Sequence, residues 1–171
     1  MKLLFFLSIM ILSISFEGYG QDTSQLKRTP YNLKVAVDSK TFYEEEIKAT
    51  PYVLPDETIQ IYPGETIYAE VAQENGIIKH LTAVSEVKNP AKTITIAFTQ
   101  TEKNHTHELM MLKISNPFPK KLIYTAHIYL LQQHKWANTD VYPIEAGLSG
   151  FETWPDVITS IALGKWVFEN K

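Results

Sequence analysis

From Tyr31 onward, apolar and polar residues alternate in short runs, the period-two signature of half-buried strands. Leu33, Val35 and Val37 alternate with Lys34 and Ala36, and Ile59 and Ile61 flank Gln60. Tyr62-Pro63-Gly64-Glu65 reads as a turn, with proline presetting φ and glycine accepting positive φ. After it, Ile67, Ala69 and Val71 point one way and Thr66, Tyr68 and Glu70 the other. Asn75-Gly76 is a tight-turn signal, and His80 to Val87 reads as the next extended piece. The cleanest strand is Thr93 to Thr99, with Ile94, Ile96 and Phe98 on one face.

Leu109 to Ser115 stops at Asn116-Pro117-Phe118-Pro119-Lys120, and Leu122 to Leu131 follows; the pair is expected to form a hairpin. Both faces of the second run are apolar, so it is expected to lie centrally and be covered on both sides. Three stretches read as irregular. Tyr43 to Lys48, with three consecutive glutamates, reads as solvated surface; Gln100 to His107 as a polar hairpin loop; and Ala146 to Pro155 as a long connection across one end of the fold. Val157 to Leu163 closes the chain, with residues 164–168 as a last strand. Short strands every eight to twelve or so residues, with no long amphipathic helix between them, predict an all-β fold: an antiparallel immunoglobulin-like β-sandwich with an N-terminal extension.

The N-terminus changes the picture. Lys2 precedes an apolar run from Leu3 to Ile14, followed by the small-x-small element Gly18-Tyr19-Gly20. The run is too short for a membrane-spanning helix, which needs about 20 residues, and fits a signal-peptide core cleaved after Gly20. The expected division is a signal peptide at 1–20, a leader and first strand at 21–54 with Gln21 to Arg28 loosely held, and a β-sandwich domain at 55–171. The expected address is periplasmic or extracellular, with no stable membrane anchor. The chain contains no cysteine, which excludes lipid attachment at a cleavage-site cysteine, disulfides and thiolate metal sites. A net charge of −3 with scattered basic residues argues against nucleic acid as a partner, because that affinity rests on clustered cations.

The C-terminal half carries a resemblance. Asn116-Pro117-Phe118, Leu122-Ile123-Tyr124-Thr125-Ala126, Pro143-Ile144-Glu145-Ala146-Gly147-Leu148 and Glu152-Thr153-Trp154-Pro155 are similar to elements found in this order in a group of uncharacterised secreted bacterial immunoglobulin-like domains. The likeness runs over residues 55 to 168. It implies one compact sandwich and brings no activity with it.

Candidate chemistry is sparse. His105 and His107 would share a face of an extended strand and could ligate copper or zinc, with Met110 and Met111 as soft neighbours. Two ligands do not complete such a site, and otherwise no cofactor is expected. His127, between Thr125 and Tyr129, reads as a core or interface histidine, since neither a nucleophile nor an orienting acid can be named beside it. Glu152 and Trp154 could pair a carboxylate with a stacking indole in a carbohydrate subsite, or Trp154 could plug the end of the sandwich while Glu152 accepts loop amides. There is no nucleophile elbow, phosphate-binding glycine loop or H-E-x-x-H helix. The expectation is a binding or scaffold module, more a binder than an enzyme, for protein or carbohydrate outside the cytoplasm. The alternatives are metal binding through His105 and His107, or an extracellular hydrolase with an unrecognised site.

Overall fold

The computed structural model describes residues 25–169, so the expected signal peptide and its cleavage point lie outside the described residues. Eleven strands account for most of the described residues: β1 (Tyr31–Ala36), β2 (Phe42–Ile47), β3 (Ile59–Ile61), β4 (Thr66–Glu74), β5 (Ile77–Val84), β6 (Thr93–Lys103), β7 (Thr106–Ser115), β8 (Leu122–Leu130), β9 (Lys135–Thr139), β10 (Ser149–Trp154) and β11 (Ile158–Phe168). They form a five-stranded sheet in the order β10-β7-β6-β4-β5, a four-stranded sheet in the order β3-β11-β8-β9, and a β1-β2 hairpin. Every pairing is antiparallel. Among the described residues no helix is long and apolar enough to cross a membrane.

The fold is sandwich-like because the two larger sheets share one core. Ile67, Ala69, Val71, Ile94, Ile96, Phe98, Leu112 and Ile114 come from one sheet, and Ile59, Ile61, Leu122, Tyr124, Ile128, Ile161 and Leu163 from the other. The faces are those that the alternation predicts for β3, β4 and β6. A satellite core of Leu33, Val35, Ile47 and Val157 seats the β1-β2 hairpin on one end.

Turn chemistry explains two connections. Asn75 and Gly76 take φ of 51° and 77° between β4 and β5, and Asn104 and His105 take 52° and 61° between β6 and β7. Two central residues with positive φ match the right-handed strand twist, so each is a two-residue hairpin. At Tyr62–Glu65, Gly64 has φ 90° and the Glu65 N–H donates to the Tyr62 carbonyl at 3.1 Å. This is the geometry of a type II turn, with proline at the second position.

Several expectations are corrected. The tight β6-β7 turn lets both strands run through the polar stretch expected as a loop. β7 therefore pairs with β6, whereas β8 pairs with β11 and β9, and no β7-β8 hairpin forms. The 116–121 segment crosses instead from one sheet to the other, turned by the Asn116 side chain and stiffened by two prolines. Only one face of β8 is buried; Ile123, Thr125 and Tyr129 are half-exposed. Phe42–Ile47 is a strand, its glutamates exposed as expected and Lys34 ion-paired with Glu44 across the hairpin. Residues 149–154 are a strand too, and 158–168 is one strand with a bulge where Lys165 takes φ 53°.

The largest correction is at Arg28, expected in a loose leader and in fact 2% exposed. Its Nε donates to Glu65 Oε1 at 2.8 Å and its Nη2 to Glu65 Oε2 at 3.2 Å. Nη1 donates to the Pro51 carbonyl at 2.9 Å and to Thr50 Oγ1 at 3.3 Å, and Nη2 also to the Gln60 carbonyl. The guanidinium stands 4.4 Å from the Tyr52 ring centre and 5.1 Å from that of Tyr62. All five donors of the fork are used, which only arginine can do.

Breaking a buried ion pair leaves the surviving charge uncompensated, so Arg28→Ala is expected to cost about 3–5 kcal/mol. Arg28→Lys should recover only part of that loss, because a point charge cannot reach all these acceptors. Urea unfolding of the three proteins checks the order; equal midpoints would refute it.

Candidate functional site

Asn116 organises the edge of the molecule where the four resembling sequence elements meet. Its Oδ1 accepts the Phe118 N–H at 3.0 Å, closing a side-chain-mediated turn. Its Nδ2 donates to the carbonyls of Lys120, Ile144 and Glu145 at 2.8, 3.0 and 3.1 Å. Its own N–H donates to the Leu148 carbonyl at 2.9 Å, and the Gly147 N–H to the Phe118 carbonyl at 3.1 Å. Ile144 exchanges both backbone bonds with Leu122 at the start of β8. One buried asparagine thus holds the 116–118 turn, the 143–148 loop and the start of β8 together, and delivers the chain into β10.

β10 is the outer strand of the five-stranded sheet and runs beside β7 without a bulge. Gly150, Glu152 and Trp154 are half-buried, while Ser149, Phe151 and Thr153 are exposed. Gly150 is needed by close approach: a Cβ there would lie 2.8 Å from Ile144 Cγ1. Trp154 packs against the main core and its Nε1 donates to Thr139 Oγ1 at 3.0 Å, tying β10 to β9 of the opposite sheet. Glu152 Oε1 accepts the Tyr142 N–H at 2.7 Å, so its carboxylate does take a loop amide. The Tyr124 phenol is pushed above the ordinary tyrosine range, first by burial and then by the Glu152 charge.

Three large apolar side chains along this edge and its loop are exposed. Tyr142 is 81%, Leu148 60% and Phe151 56% exposed. Lys113, opposite Phe151 on β7, holds its ammonium 5.6 Å from the phenyl centre.

The two histidines separate in role. His105 occupies the left-handed turn at the hairpin tip. His107 is wired into the fold: Gln100 Nε2 donates to its Nδ1 at 2.9 Å, so Nε2 carries the proton and donates to the Pro155 carbonyl at 3.0 Å. Gln100 in turn grips both backbone groups of Ala36, at 2.8 and 2.9 Å, and thereby holds β1. His107 is thus joined to the end of the Glu152-Trp154 strand. No cluster of three or more His, Cys, Asp or Glu able to hold an ion occurs among the described residues.

His127 is exposed, which corrects the core reading; it stands opposite Asn138 of β9. The β8-β9 ladder ends at Ala126–Thr139, and pairing resumes only at Leu122–Ile144. The gap leaves an open depression of 330 Å³, lined by Tyr124, His127, Asn138, Asp140 and Lys165 among others. It gathers one imidazole, one carboxylate and one ammonium.

Phe151, Tyr142 and Asn116 are the residues that the pattern did not single out. The alternation Ser-Gly-Phe-Glu-Thr-Trp was the available signal for β10, obscured by its glycine and by Pro155. No protein family, curated protein or solved structure matches the chain.

Two measurements check this construction. Gly150→Ala should overpack Ile144 and cost about 1–3 kcal/mol, with part of the loss recovered when Ile144→Ala is added; a neutral single substitution would contradict the close approach. Tyr31 and Tyr124 both hold their protons above the ordinary value, Tyr31 through burial, then the Glu65 charge and its hydrogen bond. The unfolded chain releases them near pH 10, approximately. Their contribution to stability is therefore complete below that pH and is lost as pH rises towards the folded values. Tyr124→Phe should flatten the fall in urea midpoint between about pH 9 and 11; an unchanged slope would count against the coupling.

Proposed function

We propose that this chain is an exported, immunoglobulin-like binding module that holds a partner outside the cytoplasm through the β10 edge and the 140–148 loop. The observation that carries the reading is that three large apolar side chains along one edge and its loop, Tyr142, Leu148 and Phe151, are exposed on a framework fixed by Asn116, Glu152 and Trp154. Large apolar side chains grouped at a surface mark interaction sites more often than isolated ones do. Tyrosine and phenylalanine also supply contact area at low entropic cost, which suits them to recognition. The rigid support favours binding too, because side chains already placed pay less ordering entropy on association. The short export-type leader and the absence of cysteine fit a domain that folds by packing alone outside the cell interior.

The test is a comparison of wild-type protein with Tyr142→Ala/Phe151→Ala as bait against glycan arrays and against the exported protein fraction. A ligand retained by the wild type and lost by the variant, with thermal midpoint unchanged, is the expected result. Equal capture by both proteins would refute this edge as the binding surface.

A further inference from the structure

The four outer strands of the two large sheets are treated differently. At β5, Gln25 Oε1 accepts the Ala83 N–H at 3.3 Å, Gln25 Nε2 donates to the Leu81 carbonyl at 2.9 Å, and Glu57 Oε2 accepts the Leu81 N–H at 2.6 Å. Side chains here stand in for a neighbouring strand. At β3, the Tyr52 carbonyl accepts the Gln60 N–H at 3.1 Å and Arg28 donates to the Gln60 carbonyl. β9 is only five residues long and begins at a lysine. Such closures are how sheet edges are kept from recruiting further strands. β10, six residues long, lacks the backbone closures of β5 and β3: Ser149–Trp154 contains no lysine, arginine or proline, pairs with β7 without a bulge, and no side chain among the described residues bonds its backbone groups.

The carboxylates around β10 are only partly answered by cations. Glu152 lies on the strand, Asp156 follows it, and Asp140 and Glu145 lie in the loop that Glu152 and Asn116 hold beside it. Lys121 answers Glu145 and Glu169 at 3.2 and 3.0 Å, Lys165 lines the same depression as Asp140, and Lys113 lies over Phe151, which leaves Glu152 and Asp156 without an ion pair among the described residues. Glu152 Oε2 makes no hydrogen bond among the described residues.

We propose that β10 accepts an extended segment of a partner polypeptide bearing lysine or arginine, which joins the five-stranded sheet as a sixth strand. This rests on the binding-module reading and names its partner class. Backbone bonds to the open edge supply affinity, and alternate side chains supply selectivity: an apolar residue beside Phe151 on one face, a cation reaching Glu152 on the other. A second copy of this chain fits less well, because its β10 would bring the same carboxylates against each other.

The probes are two short fluorescent peptides, one alternating valine with lysine and one alternating valine with glutamate, followed by anisotropy and by amide hydrogen exchange of the intact protein. The lysine peptide should bind and slow exchange at residues 149–154. Glu152→Gln, which keeps the acceptor for Tyr142, should weaken it about tenfold, in the range for a lost charge pair. Phe151→Lys, at an exposed position, should abolish binding with the thermal midpoint preserved. Equal binding of the glutamate peptide would overturn the charge assignment. Binding without protection of 149–154 would overturn the edge while leaving the binding-module reading intact. Self-association that protects 149–154 in the absence of peptide would overturn the choice of occupant. If neither peptide binds while the Tyr142/Phe151 variant still loses a captured glycan, the polypeptide class fails and the module reading survives; if no ligand of any kind depends on those two residues, both fail.

Discussion

The fold depends on a buried cation clamped between two tyrosine rings. Arg28 reaches from the segment before β1 to Glu65 in the turn before β4, to carbonyls at Pro51 and Gln60, and to the faces of Tyr52 and Tyr62. Glu65 returns the connection by accepting the Tyr62 N–H at 2.9 Å and the Tyr31 hydroxyl at 3.2 Å. In a chain with no cysteine to form a disulfide, this node joins the N-terminal segment, the β3 edge, the type II turn and the β1 hairpin. A buried pair of this kind is not strongly stabilising relative to an apolar substitute, but it is intolerant of losing one member. Its effect is to specify which turn the N-terminal segment docks against.

A second polar hub does the equivalent task at the opposite edge. Asn116 satisfies its amide entirely on backbone groups, so a loop with no regular structure of its own is held where β10 can start. The two hubs differ in what they leave exposed. Around Arg28 the edges of β3 and β5 are closed, whereas around Asn116 the chain presents aromatic side chains and an open strand.

Period-two alternation made β3, β4 and β6 legible down to the buried face, because one side of each meets the core and the other meets water. Asn75-Gly76 was legible because its backbone needs those residue types. The pairing of β7 was not, since local pattern says a strand exists without saying which sheet receives it; the two-residue turn at Asn104-His105 decides that. Arg28 was opaque for a related reason. A charged residue in a polar segment looks solvated until Glu65, far along the chain, is placed beside it. Glu152 and Trp154 could be named from their types, and Pro155 is where His107 reaches them, but the exposed Tyr142 and Phe151 acquire meaning only once the edge is built.

The pairing of β3 with β11 sets a constraint in time. Ile61 stands opposite Ile161, so an early strand finds its neighbour only when the last strand in chain order is available. Contacts of such long sequence separation pay their loop-closure entropy before they return any packing, which slows folding. The four-stranded sheet therefore cannot accumulate piece by piece from the N-terminal side, and β3 has no strand partner beyond its local bonds to residues 52–54 until β11 is available. Synthesis and assembly therefore run on different clocks.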